Sequence, residues 1–60
     1  MFQLYIITTD QKTIYSHCFH SEWAAGMVAI GYIRQYPEIQ TIHIINKETG
    51  EIVQSYEKGY

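Results

Sequence analysis

The chain is poor in the devices that small domains use to stabilise or specialise themselves. A single cysteine, Cys18, excludes an intrachain disulfide, so a 60-residue domain, which buries only ~60% of its unfolded surface, has to rely on its core or on association. Basic residues are scarce: Lys12, Arg34, Lys47 and Lys58 stand against six acids, for a net charge of −2. That balance excludes the basic patch a nucleic-acid surface needs, and the acids are too scattered for a nucleic-acid mimic. No hydrophobic run is long. The longest charge-poor stretch, Trp23–Ile33, has 11 residues, against ~20 for a bilayer span. No basic segment or small-residue cleavage site marks residues 1–9 as a signal peptide, so a cytoplasmic protein with no membrane partner is expected.

Catalytic signals are missing as well. There is no glycine-rich phosphate loop and no paired-carboxylate motif, and a chain this short has little room for a pocket of ~300 Å³ or more. His17, Cys18, His20 and His43 are the candidates for a nucleophile or metal site. A zinc site wants converging Cys and His ligands, whereas on a strand Cys18 and His20 share one side and His17 takes the other. The expectation is a non-enzymatic chain with no cofactor and no metal, in which the histidines are half-exposed strand residues and the thiol is inert.

What is present is clear punctuation. Residues 2–9 and 13–19 are rich in aromatic and β-branched types and read as a hairpin turning at Asp10-Gln11. Ser21 is placed to cap a helix over 22–36, with Glu22 in its first turn and Pro37 ending it. Residues 39–46 and 51–57 read as a second hairpin around Lys47–Gly50, where Gly50 can take the left-handed conformation. Residues 58–60 read as a frayed tail. The prediction is one α+β domain over 1–60: ββαββ, a four-stranded, mostly antiparallel sheet with one helix on one face.

The pairing arithmetic predicts two apolar faces. A two-residue first loop pairs Ile7 with Ile14 and Ile6 with Tyr15; a four-residue second loop pairs Ile45 with Ile52 and Ile44 with Val53. This puts Phe2, Leu4, Ile6, Tyr15, Phe19, Ile42, Ile44 and Val53 under the helix. Tyr5, Ile7, Ile14, His43, Ile45, Ile52 and Tyr56 fall on the open face. A singly covered antiparallel sheet alternates cleanly; this one does not, and an open apolar face marks an interaction site. The plainer reading is of scattered exposed apolar residues, which are ordinary. We expect a homodimer seam made by Tyr5, Ile7, His43, Ile45, Ile52 and Tyr56. The helix is apolar around most of its wheel, and Gly26 and Gly31 each cost it ~1 kcal/mol relative to Ala. Tyr32, Arg34 and Tyr36 are the expected contacts for a protein target, with Trp23 folded against the sheet.

The order strand pair, helix, strand pair over residues 2–56 resembles the layout of the small β-grasp immunoglobulin-binding domains, which implies a four-stranded sheet with a helix on one face and nothing about ligand. In size, single-domain build and lack of catalytic groups the chain resembles the short phage-encoded proteins that block bacterial defence systems or host enzymes, the anti-Hachiman class among them. That resemblance implies an inhibitor acting on a protein target in the host cytoplasm. A regulatory or structural subunit of a cellular complex would use the same faces. A ligand or metal module at the dimer seam, around His43 and Cys18, is the alternative from another class.

Overall fold

Two hairpins flank a helix in the computed structural model, which describes residues 1–58. The elements are β1 (Phe2–Thr8), β2 (Thr13–Phe19), α1 (Glu22–Gln35), β3 (Ile39–Asn46) and β4 (Ile52–Glu57). The sheet order is β2-β1-β3-β4, with every neighbouring pair antiparallel. The α+β fold expected from the sequence is the one observed. Because β2 and β3 both oppose β1, they run in the same direction, and α1 is the crossover that carries the chain between them over β1. No helix among the described residues is long and apolar enough to cross a membrane.

Local chemistry sets the element ends. The Ser21 hydroxyl accepts from the Ala24 amide at 3.0 Å, satisfying one of the free N–H groups of the first turn. The last turn closes at Tyr36, whose N–H donates to the Tyr32 carbonyl at 2.9 Å before Pro37 redirects the chain. Gly50 takes φ 77°, and its N–H reaches the Asn46 carbonyl at 2.7 Å. The tail expectation fails at Lys58. Its amide donates to Gln40 O at 2.9 Å and its ammonium to Pro37 O at 2.7 Å; residues 59 and 60 lie outside the described residues.

The register of both hairpins differs from the expectation. The first loop has three residues, not two. Thr8 N–H donates to Lys12 O at 3.0 Å, Gln11 N–H donates to Thr8 O at 2.9 Å, and Gln11 has φ 66°. This is a type I turn followed by a left-handed residue. One extra loop residue shifts the pairing by one and exchanges the faces: Ile6 opposes Ile14 and Tyr5 opposes Tyr15. Tyr15 therefore lies on the open face and Ile14 on the helix side, the reverse of the expected placement. An irregularity between Gln3 and Tyr5 then restores the expected pairing of Phe2 with Phe19; there the Leu4 amide donates to the Ser16 hydroxyl at 3.1 Å. In the second hairpin Ile45 opposes Ile52 as expected, but the register slips at Val53, so Ile44 meets Gln54 and Ile42 meets Tyr56. Val53 drops out of the core, and Tyr56 turns to the helix side.

The core is Leu4, Ile6, Ile39, Ile42 and Ile44 from the central strands against Ala25 and Ala29 of α1. Leu4, Ile42 and Ile44 are fully buried, each a contribution of about 1.5–3 kcal/mol. Phe2, Phe19, Val28, Tyr32, Ile33 and Tyr56 pack around them. The helix meets the sheet through small residues: a Cβ on Gly26 would sit 3.0 Å from the Tyr56 hydroxyl. Gly26 is a close-approach glycine, whereas Gly31 has nothing within 4 Å of a built Cβ.

Candidate interaction surfaces

The open sheet face is built in rows, one residue from each strand. Its middle row is Tyr15, Tyr5, His43 and Ser55, in the order β2-β1-β3-β4. Tyr5 and Tyr15 stack with centroids 5.1 Å apart, and the Tyr5 and His43 rings lie 6.1 Å apart. His43 Nδ1 pairs with the Ser55 hydroxyl at 2.7 Å. The row above is Cys18, Gln3, Ile45 and Ile52; the row below is Thr13, Ile7, Thr41 and Glu57. The face thus carries an aromatic band edged by Ile7, Ile45 and Ile52, with polar residues between. Tyr5, Ile7, His43 and Ile45 are half-buried, while Tyr15 is 60% and Ile52 55% exposed. Five of the six residues expected at a sheet seam share this face. Tyr56 does not; the slip at Val53 turns it toward α1.

The second surface is the back of the helix, and it corrects the expected rotation. Trp23 is 76% exposed and Met27 55% exposed, with Ile30 beside them. Arg34 is exposed on the same line. By the ~3.6-residue period these four positions fall within about 60° of one another. Tyr32, expected to point outward, is half-buried against the core; Tyr36 packs edge-on beside it with centroids 5.8 Å apart and is exposed at the helix end, as expected. The cause is space. The side facing the sheet carries Ala25, Gly26 and Ala29, all buried, and the backbone comes too near the strands there to admit an indole.

Between this stripe and β4 runs an open groove of about 140 Å³ lined by Glu22, Trp23, Gly26, Met27, Ile30, Gln54 and Tyr56. Gln54 ties its rim together, donating to the Glu22 carboxylate at 2.7 Å and accepting from the Tyr56 hydroxyl.

The structure does not gather the residues considered for metal or thiol chemistry. Cys18 lies on β2 opposite Gln3, His43 lies in the next row on β3, and β1 runs between them. His17 packs on Phe19, centroids 4.5 Å apart. Among the described residues no three His, Cys, Asp or Glu side chains cluster as a metal site would need. Asp10 is held below the ordinary carboxylate value by the Thr8 hydroxyl that donates to it. The Lys12 ammonium, 3.8 Å away, acts in the same direction. That is loop chemistry and lies on neither surface. Comparison with known proteins finds no matching family model, no matching curated protein and no matching solved structure.

Proposed function

We propose that the chain is a non-enzymatic, homodimeric protein-interaction module. The observation that carries this reading is the presence of large apolar and aromatic side chains in the open on two opposite sides of the domain, Tyr15 and Ile52 on the sheet and Trp23 and Met27 on the helix. Single exposed apolar residues are ordinary, but large ones exposed on two sides of so small a domain fit surfaces that a partner covers. The row Tyr15, Tyr5 and His43 supplies the rigid aromatic anchors on which binding energy concentrates. On this reading the sheet face engages a protein target, and the short phage-type inhibitors of bacterial defence or host proteins are the class that suggests which kind.

The test is affinity purification from the producing or host cell with the wild-type chain and with Tyr15→Ser, both checked for fold by circular dichroism. Tyr15 is exposed and carries no core load, so the variant should fold. A protein retained in stoichiometric amount by the wild type and lost by the folded variant supports the reading. Equal retention of that protein by both removes the sheet face from the proposal.

A further inference from the structure

We propose that a second copy of this chain covers the back of α1, the two helices packing antiparallel about a twofold axis that passes between residues 28 and 29. This deepens the homodimeric reading by naming its seam, and it moves that seam from the sheet face expected from the sequence to the helix.

The argument rests on the self-complementarity of the stripe. A twofold contact requires each residue to meet a partner at the mirrored level. Met27 and Ile30 are equidistant from the point between residues 28 and 29, and so are Trp23 and Arg34. Antiparallel pairing about that point therefore sets Met27 and Ile30 against the same pair of the second copy, an apolar centre. It also sets each exposed indole at the level of the second copy's Arg34. Indole is the best of the aromatic faces for a cation and guanidinium the commonest partner, favourable within ~6 Å of the ring centroid.

Charge points the same way. Arg34 is the base of the last turn, and antiparallel packing sets the two helix dipoles head to tail, the favourable arrangement. Within the chain Arg34 has no ion-pair partner among the described residues. A parallel arrangement would oppose Arg34 to its own copy and leave Trp23 against Trp23. The back of Gly31 is open, with nothing within 4 Å, so no side chain there holds the second helix away from Met27.

Sedimentation equilibrium and isotope-filtered NMR on a mixed labelled and unlabelled sample test this. The wild type should be a dimer at micromolar concentration, with intermolecular contacts from the Trp23 indole to the Arg34 side chain and from Met27 to Ile30. Met27→Asp places two carboxylates near the axis and should weaken the dimer about thirtyfold or more, the size of a hot-spot loss. Arg34→Glu should weaken it more than Arg34→Lys, which keeps the charge but loses the planar stack. A monomer throughout the micromolar range overturns the proposal. So does a dimer whose intermolecular contacts arise from Tyr5, His43 and Ile45, or one that Met27→Asp leaves intact. The NMR measurement needs no variant and holds even if a substitution unfolds the chain. Tyr15→Ser should leave the helix dimer in place while removing target binding, so the two readings fail separately.

Discussion

The two sides of the single helix invert the usual arrangement. Toward the sheet it presents Ala25, Gly26 and Ala29; toward solvent it presents Trp23, Met27 and Ile30. Both sides are apolar, and what separates them is size. An amphipathic helix is ordinarily oriented by polarity, its large apolar residues inward. Here the distance between helix and sheet orients it. Small residues let the backbone settle on Leu4, Ile42 and Ile44, which fill the interface from below, while Val28, Tyr32 and Ile33 pack at its margins. Trp23, Met27 and Ile30 are left for another surface.

The inner side should be the less forgiving. Ile42→Ala removes a fully buried side chain from the sheet beneath α1 and should cost about 2–5 kcal/mol, enough to unfold a domain of marginal stability; a urea melt checks this. Ala29→Leu tests the claim of close approach directly. It adds bulk where Ala29 is wholly buried and should cost about 1–3 kcal/mol despite the rise in hydrophobicity. A neutral result would mean that the two sides are not distinguished by space.

The outer side should respond in the opposite way. At concentrations where the chain is monomeric, Met27→Asp should change the denaturation midpoint by less than the equivalent of about 0.5 kcal/mol, as exposed positions do, while weakening the proposed association about thirtyfold or more. Glycines sharpen the contrast further. Gly31→Ala meets nothing and should stabilise the monomer by up to about 1 kcal/mol. Gly26→Ala has the same intrinsic gain but pushes on the Tyr56 hydroxyl at 3.0 Å, so it should stabilise less or not at all.

Smallest of all is the first hairpin loop, which lies away from both sides and serves as a control. Asp10 has a folded-state pKa below its ordinary value, first because Thr8 donates to it. A depressed carboxylate contributes stability above its unfolded pKa, and that contribution is lost as pH falls through the lower folded value. Wild type should therefore lose slightly more stability than Asp10→Asn on acidification below about pH 4, as followed by melts at stepped pH. The helix surfaces should play no part in the difference.

Much of the architecture is legible in the residues. Ser21, Pro37 and Gly50 act within a turn of their own position, which is why the helix and the second loop fall where their chemistry says. The face assignments were harder. Five of the six proposed sheet-face residues do lie together, because β1 and β3 pair in strict alternation over most of their length. Tyr15, Ile14, Val53 and Tyr56 are misplaced by a one-residue change, since strand faces alternate with period two. The outward stripe had a signal: Ala25, Gly26 and Ala29 share one side of the wheel and mark where something must approach closely. Apolarity hid it, being spread around the whole helix.

By itself, then, the sequence determined the element order, the caps and the glycine-closed loop, because each depends on backbone bonds a few residues apart. The length of the first loop was decided by tertiary context. Thr9 N–H donates to Glu38 O at 2.8 Å, tying the loop to the chain that leads into β3, and the extra residue is returned only at Ser16, against the neighbouring strand. The rotation of the helix was likewise decided by the assembled sheet. When every side of a helix is apolar, transfer from water favours no side in particular, and the choice falls to the shape of the space beneath it, which exists only once the strands have paired.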